Sequence, residues 1–244
     1  GADRTTAALQ EQFSALFETR CFVHPIATGT AANALALSLL TPPYGAIYCS
    51  RVGHIDDSEC GAGEFFTGGA KIVPLDEVQG KLPPAALEAA LARAGAGNTS
   101  RVQPAVLNLT QATERGTVYS LDELQALIAI AHCHGLRVHM DGARFANALV
   151  QLGCSPAELT WQLGVDVLSF GATKNGTMLA EGLVVFDDEL IDPLRFRARR
   201  AGQGFSKMRF MAVQLEAYVK DGLWLDLARN ANAMAKRLAD GLSA

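Results

Sequence analysis

Lys174 lies in the segment SFGATKNG, residues 169–176, directly after the apolar run DVLSF. Burying a lysine amine without a partner costs free energy. A lysine at the end of a core strand therefore indicates that the amine has a binding partner or a chemical role. In an apolar setting the amine becomes a better nucleophile, suited to forming a Schiff base with an aldehyde. The alternative is an ordinary ion pair with Glu181 or Asp141, and the sequence pattern alone favours neither.

Asp141 and Arg144 stand close together in the segment VHMDGAR, where a predicted strand ends in a carboxylate. Taken alone, Asp141 is more typical of an N-cap for the helix predicted over ARFANALVQL. Arg144, on the first turn of that helix, can pair with Asp141 or bind a carboxylate through two parallel hydrogen bonds. The segment therefore places an acid and an anion-binding cation one helical crossover before Lys174.

Two further segments supply groups that suit a phosphorylated, aromatic ligand. In ATGTAANAL, Gly29 and Thr30 open a predicted helix, whose free backbone N–H groups form an anion site together with the hydroxyl. His54 in VGHIDD is either a plain loop residue or a flat ring that stacks on an aromatic cofactor. A phosphate site, a flat ring, an acid and a lysine together fit pyridoxal phosphate, with the acid keeping the pyridine nitrogen protonated. The small residues beside Lys174 would then let the cofactor approach the backbone.

Seven apolar runs alternate with helix-like segments along the chain, and the candidate site residues lie at or near the ends of these runs. The predicted strands cover residues 21–27, 46–50, 69–75, 104–110, 136–141, 166–170 and 181–186. Unbroken apolar strands that alternate with helices predict an α/β fold, with a mainly parallel central sheet and helices on both faces. Ligands bind beyond the carboxyl ends of such strands, which is where the candidate residues gather. Ser120 with Glu123 predicts a capping box at the start of one helix.

The composition narrows the class of protein. With 244 residues, 49% of them hydrophobic, the chain can bury a substantial core, and its net charge of -4 argues against nucleic acid as the main partner. No apolar stretch reaches the roughly 20 residues that a membrane helix needs, and the first residues lack the order of a signal peptide. The cysteines are scattered without a C-x-x-C pair, which indicates reduced thiols and a cytoplasmic location.

Six segments, in order along nearly the whole chain, carry a family resemblance: ATGTAANALAL, HIDDSECGAGEFFTGG, NLTQATERGTVYSLDEL, HMDGARFANAL, DVLSFGATKNGTMLAEGLVVF and SKMRFMAVQLEAY. They resemble the L-threonine aldolase / β-eliminating lyase family of fold-type-I pyridoxal-phosphate enzymes, and TQATERGTVYSL is similar to its low-specificity bacterial branch. The resemblance implies an aspartate-aminotransferase-like large domain. It also implies cleavage of L-threonine, L-allo-threonine and related β-hydroxy-α-amino acids to glycine and an aldehyde.

The resemblance further implies a role for each matching residue. Lys174 would carry pyridoxal 5′-phosphate covalently, and Asp141 would pair with the pyridine nitrogen. Gly29 and Thr30 would hold the phosphate, while His54 would stack on the ring and is a candidate base. The implied catalytic residues are therefore Lys174, His54 and Asp141, and no metal is expected.

Two arginines and one departure from the family pattern complete this implied site. Arg144 would bind the substrate carboxylate and the phenolic-oxygen side of the cofactor, and Arg209 in SKMRF matches an arginine near the phosphate and the subunit contact. Gln111 stands where many relatives have a histidine, so proton removal would fall to His54 or to a water molecule. The family works as homodimers or homotetramers with shared active sites.

The domain organisation follows from the same resemblance and from the absence of a linker-like stretch. We expect residues 1–244 to form a single domain, the large domain that binds pyridoxal phosphate. We also expect that the N-terminal segment and the small C-terminal domain of the family are missing from this sequence. We expect residues 222–244 to lead into the latter.

Three other functions stay open at this stage. The same rim of groups would serve β-elimination or racemisation of another amino acid, and the reaction products separate these from an aldol cleavage. A metal hydrolase could use His54, Asp56, Asp57, His139 and Asp141, although their spacing matches no known ligand motif. The third is a non-catalytic scaffold that has lost cofactor binding.

Overall fold

The structure, a computed structural model, describes residues 3–242, and in this range the strands form one seven-stranded sheet. The strands are β1 (Phe22–Ile26), β2 (Gly45–Ser50), β3 (Lys71–Leu75), β4 (Gln103–Thr110), β5 (Arg137–Gly142), β6 (Val167–Phe170) and β7 (Glu181–Val185). Their order across the sheet is β1-β7-β6-β5-β4-β2-β3. Strand β7 runs antiparallel to β6 and β1, and the other neighbouring pairs are parallel. The mainly parallel sheet is thus confirmed, with each predicted strand within two residues of its expected bounds.

The helices cover both faces of this sheet. They are α1 (Arg4–Leu16), α2 (Gly29–Leu40), α3 (His54–Asp57), α4 (Ala62–Thr67), α5 (Pro84–Ala92), α6 (Leu121–Cys133), α7 (Phe145–Leu152), α8 (Ile191–Arg200), α9 (Arg209–Val219) and α10 (Leu223–Leu242). Strand β2 shows the two-sided burial: Ala46 and Tyr48 belong to the core cluster that includes residues of α1, α6, α7 and α9, whereas Ile47 and Cys49 belong to the cluster that includes residues of α2 and α8. Side chains alternate along a strand, so every position of β2 is buried because both faces are covered.

Local signals read from the sequence set the ends of several helices. The Ser120 hydroxyl accepts a hydrogen bond from the Glu123 backbone N–H, and the Glu123 carboxylate accepts one from the Ser120 N–H. This capping box confirms the predicted start of α6, and Gly135 follows its end with a left-handed φ of 72°. Helix α2 begins at Gly29, with the Thr28 hydroxyl accepting from the Ala31 N–H. The first turn of α2 therefore opens at the same rim where β1 ends.

The parallel register brings the ends of three neighbouring strands together. Thr110 of β4 lies opposite Asp141 of β5, and Asp141 lies opposite Ser169 of β6. Because these are the carboxyl ends of parallel strands, their side chains and the loops that follow them share one edge of the sheet. No helix between residues 3 and 242 is long and apolar enough to cross a bilayer.

Candidate active site

A cavity of about 190 Å³ opens at this edge of the sheet. Six of the seven site residues predicted from the sequence line it: Gly29, Thr30, His54, Asp141, Arg144 and Lys174. Those residues come from four different segments of the chain, which only the strand order brings together. Arg209 is not among the lining residues.

Asp141 is held as an oriented carboxylate at the floor of the cavity. It is buried, with 3% of its surface exposed. One carboxylate oxygen accepts from the Ala143 backbone N–H at 3.0 Å, and the other accepts from the Asn33 side-chain amide at 2.9 Å. Helix α7 begins after Arg144 with no side-chain cap, so the alternative role of Asp141 as its N-cap is wrong. The carboxylate remains available to a ligand in the cavity.

Lys174 stands in a short 3₁₀ turn, Thr173–Asn175, and is exposed at the mouth of the cavity. The expectation of an apolar setting is therefore wrong. The alternative of an ion pair with Glu181 or Asp141 is wrong too, because within residues 3–242 no carboxylate lies at salt-bridge distance from the amine, and Lys174 acts on Glu181 only as a more distant charge. Glu181 instead accepts hydrogen bonds from the backbone N–H groups of Ala172 and Thr173, and burial raises the pKa of its carboxyl. The amine is thus free to react.

The glycine before this turn lines the cavity and also permits a close approach of two backbone segments. A Cβ on Gly171 would stand 2.4 Å from the carbonyl oxygen of Ala143, far inside van der Waals contact. The backbone that follows β5 fills the space where a side chain at position 171 would lie, and the expectation that the small residues beside Lys174 admit the cofactor stays a prediction. Gly29 is the opposite case, because a Cβ there would meet nothing within 4 Å. Open space lies instead at the first turn of α2, where a phosphate would bind.

His54 is fixed at both its backbone and its ring by two glutamates that the sequence analysis missed. Its backbone N–H donates to Glu114 at 2.8 Å, and its ring Nδ1 lies 2.9 Å from Glu59 Oε1. Glu59 Oε1 also accepts from the Asn33 amide at 2.9 Å. Burial raises the pKa of both glutamates, and the hydrogen bonds that each accepts oppose this shift. A spacing of five residues between His54 and Glu59 is no recognised signal, so nothing in the sequence marked the pair.

The arginines and Gln111 differ in how the structure uses them. Arg144 lines the cavity, and its guanidinium has no partner within residues 3–242. Arg209 is exposed at the start of α9 with its guanidinium 5.2 Å from the centre of the Phe210 ring, so a role at the phosphate stays a prediction. The Gln111 amide is buried and bonded to the backbone N–H and carbonyl of Tyr119. Gln111 therefore contributes no acid–base group to the cavity.

The residues present fit pyridoxal phosphate. The cavity wall contains three buried oxygens without a hydrogen-bond partner in the described chain, on Asn33, Glu59 and Glu114. Buried polar atoms are nearly always paired in native proteins, so such a group at one cavity suggests a polar ligand. Together with the open first turn of α2, the Asp141 carboxylate and the free Lys174 amine, the wall offers a contact for each polar part of the cofactor.

The metal-hydrolase alternative finds no site in the described part of the chain. Between residues 3 and 242, no three histidine, cysteine or acidic side chains lie close enough together to hold a metal ion. His139 is fully buried, with its ring nitrogens at hydrogen-bond distance from Asn108 and Ser169. Asp56 and Asp57 are exposed on α3.

Comparison with known proteins agrees with this geometry. The model of the family described as "Beta-eliminating lyase" matches residues 1–244. The chain belongs to this family. It is 46% identical over 241 residues to the low specificity L-threonine aldolase of Pseudomonas aeruginosa, covering 98% of this chain and 69% of that one. A second low specificity L-threonine aldolase, from a Pseudomonas species, is 45% identical over 240 residues, covering 98% of this chain and 68% of the relative.

Solved structures of the family share the fold. The threonine aldolase of Leishmania major superposes with a TM-score of 0.93 at 32% identity, over 99% of this chain and 70% of that one. The resemblance read from the six sequence segments is therefore confirmed, and so is the assignment of the fold to the pyridoxal-phosphate enzymes of fold type I.

Proposed function

We propose that this protein is a pyridoxal-phosphate-dependent lyase that cleaves L-threonine, L-allo-threonine and related β-hydroxy-α-amino acids to glycine and an aldehyde. The observation that carries the proposal is the convergence of Asp141, Arg144, Lys174 and the first turn of α2 on one cavity. Family membership supports it, because the two Pseudomonas relatives are named low specificity L-threonine aldolases.

Each part of the cavity would hold a different part of the cofactor. Gly29 and Thr30 at the start of α2 would bind the phosphate, and the Asp141 carboxylate would bind the pyridine nitrogen. His54 would stack on the ring, and the Lys174 amine would form the covalent link to the aldehyde carbon. When bound, the cofactor supplies an electron sink for cleavage at the α-carbon of the amino acid.

The remaining steps belong to side chains of this chain. Arg144 would hold the substrate carboxylate through two hydrogen bonds, which sets the bond that faces out of the ring plane. His54 Nε2 would accept the proton of the β-hydroxyl group as the Cα–Cβ bond breaks. Asp141, with one N–H donor at each oxygen, would be held in place beside the ring nitrogen.

A product assay tests the reaction. L-threonine and L-allo-threonine are supplied to the protein with pyridoxal phosphate, and glycine and acetaldehyde are measured. Equal amounts of the two products are the expected result. Ammonia with a keto acid would instead assign the chain to β-elimination, the runner-up reaction of the same rim.

The variant Asp141→Ala tests whether the carboxylate at the ring nitrogen is needed for turnover. Because it removes the carboxylate at the ring nitrogen, we expect kcat to fall about 100-fold or more. Asp122→Ala, on an exposed position of α6, is the matched control and is expected to retain wild-type kcat. Wild-type turnover in Asp141→Ala would refute the role given to this carboxylate.

We also propose a cytoplasmic homodimer or homotetramer with active sites shared between subunits. The exposed Arg209, outside its own cavity, supports sharing, since a partner's cavity is where it would meet a phosphate. All five cysteines are free, which suits a reducing compartment. Light scattering of the purified protein measures the oligomer. The domain organisation stays a prediction: we expect residues 1–244 to form one domain, with residues 222–244 leading into another. Residues 243–244 lie outside the described chain.

A further inference from the structure

Glu59 is the most deeply buried ionisable group at the wall of the cavity that the sequence analysis did not find. Its side chain has no exposed surface, whereas the neighbouring His54 side chain is 37% exposed. One carboxylate oxygen contacts both His54 Nδ1 and the Asn33 amide, and the other has no partner in the described chain. A carboxylate in such a place is costly, because its charge is removed from water and only half of it is solvated by the protein.

The hydrogen bonds of Asn33 and Glu59 together determine which ring nitrogen of His54 carries the proton. The Asn33 amide nitrogen can only donate, and it gives one hydrogen to Glu59 and the other to Asp141, each at 2.9 Å. An ionised Glu59 can only accept, so the hydrogen between it and His54 sits on Nδ1. The neutral ring then carries a lone pair on Nε2, and Nε2 has no partner within residues 3–242.

No other imidazole is available to this cavity. Among the histidines of the chain, His54 is the one that lines it within the described residues. Gln111, which stands where the resemblance implies a histidine in many relatives, is bonded to the Tyr119 backbone. The backbone of His54 is also fixed, since its N–H donates to Glu114, whose carboxylate in turn accepts from the Thr110 hydroxyl. The whole arrangement holds one ring in one orientation.

We propose that Glu59 is a positioning residue that fixes His54 in the Nδ1–H form and so makes Nε2 the proton acceptor of the cleavage reaction. This proposal rests on the proposed function and names the group that performs its proton transfer. As His54 takes the substrate proton, the ring becomes positive and Glu59 stabilises it across the Nδ1–H hydrogen bond. Asn33 links this pair to Asp141, so one amide orients both the acid at the ring nitrogen and the partner of the base.

The first test reads the imidazole directly and does not depend on turnover. The full chain is labelled with ¹⁵N-histidine, and two-bond ¹H–¹⁵N spectra are recorded with and without pyridoxal phosphate, with His54→Asn used to assign the signal. We expect wild-type His54 to be protonated at Nδ1 alone. In Glu59→Ala we expect a mixture of both neutral forms. An unchanged His54 signal in Glu59→Ala would overturn the proposal.

The second test uses kinetics and an isosteric variant. Glu59→Gln keeps an acceptor for His54 and Asn33 but loses the charge, so we expect kcat about tenfold lower, with KM nearly unchanged. Glu59→Ala loses the acceptor as well, so we expect kcat to fall further, by about 100-fold. That loss is at the lower end of the contribution of a general base. Glu88→Gln, the same change at an exposed position of α5, is the control expected to keep wild-type kcat.

The outcomes separate this proposal from the proposed function. Wild-type kcat in Glu59→Gln would overturn the role of Glu59 even if Glu59→Ala does not fold. A wild-type protein that releases no glycine from β-hydroxy amino acids would refute the proposed function. The ¹⁵N spectra would still report whether Glu59 fixes the ring.

Discussion

The protonation of His139 is tied to the folded state. It is fully buried, with Nδ1 2.6 Å from Asn108 Oδ1 and Nε2 2.9 Å from the Ser169 hydroxyl. Because the amide oxygen of Asn108 can only accept, Nδ1 carries the hydrogen and Nε2 accepts from Ser169. Both nitrogens are used in the neutral form, and burial lowers the pKa of His139 to about 4.

This geometry predicts a loss of stability in mild acid. The unfolded chain binds a proton at His139 below the ordinary pKa of 6.5, whereas the folded chain does so only below about 4. Between these values the unfolded state holds more protons, so the free energy of unfolding falls as pH falls. Below about pH 4 the protonation of His139 causes no further decrease in the free energy of unfolding. The full decrease caused by His139 is about 3 kcal/mol.

Urea unfolding at pH 7.5, 5.5 and 4.5 measures this effect. His139→Gln removes the titrating group, so we expect its free energy of unfolding to depend less on pH than that of the wild type. His134→Gln, at an exposed position after α6, should retain the wild-type dependence. Parallel pH curves for the wild type and His139→Gln would contradict the assignment.

At the scale of elements, the ends of β5 and β6 come so close that one position must be glycine. A Cβ at Gly171 would lie 2.4 Å from the Ala143 oxygen and 2.6 Å from two further backbone atoms of Ala143. Backbone atoms cannot move aside as a flexible side chain does, so the two loops must separate. Those loops carry Arg144 and Lys174, and their spacing sets the width of the cavity.

Gly171→Ala is therefore expected to lower both stability and activity. We expect the free energy of unfolding to fall by about 1–3 kcal/mol, as for overpacked cores, and kcat/KM to fall about tenfold or more. Urea unfolding and the glycine assay give the two values. Gly241→Ala in α10, where a Cβ would meet nothing within 4 Å, is the matched control. Wild-type values for Gly171→Ala would show that the close approach is not needed.

For the molecule as a whole, an aromatic cluster joins the two ends of the described chain beneath the site. Phe13 of α1 packs edge-on against Phe170 of β6 at 5.2 Å between ring centres, and Phe170 packs against Trp224 of α10 at 5.5 Å. The Asn175 side chain, next to Lys174, donates to the Tyr218 hydroxyl at 2.6 Å and to the Trp224 carbonyl at 2.9 Å. Helices α9 and α10 thus hold the turn that bears the lysine.

Trp224→Ala tests how far the fold depends on this cluster. Trp224 is 1% exposed, and its loss leaves a large cavity, so we expect the free energy of unfolding to fall by about 3–5 kcal/mol. The matched control is Leu223→Ala, whose side chain is 46% exposed and should cost far less. Equal losses in the two variants, measured by urea unfolding, would argue against the cluster.

The sheet could be predicted from the sequence because the signals for its strands are local. Unbroken apolar runs identify strands that are covered on both faces, and parallel strands place their carboxyl ends at one edge. The same two features of the sequence predict that Asp141, Lys174 and His54 lie at one rim of the sheet. The Ser120–Glu123 capping box was predictable for the same reason, since its partners are three residues apart.

The contacts that orient the site were beyond such reasoning because they join distant parts of the chain. Asn33 and Asp141 are 108 residues apart, and only the packing of α2 against the sheet makes them neighbours. The exposure of Lys174 depends on how its turn leaves β6, and the requirement for Gly171 depends on the path of Ala143. Periodicity and residue type report burial on an element, not which neighbour a side chain will meet.

The proposed function requires the Lys174 amine as the group that binds the cofactor, and one labelling experiment tests that directly. The protein is incubated with pyridoxal 5′-phosphate, reduced with borohydride, digested and mapped by mass spectrometry. The predicted result is one phosphopyridoxyl group on the peptide that contains Lys174, and none in Lys174→Ala. Stoichiometric label on another lysine, with position 174 unmodified in an active protein, would contradict the account.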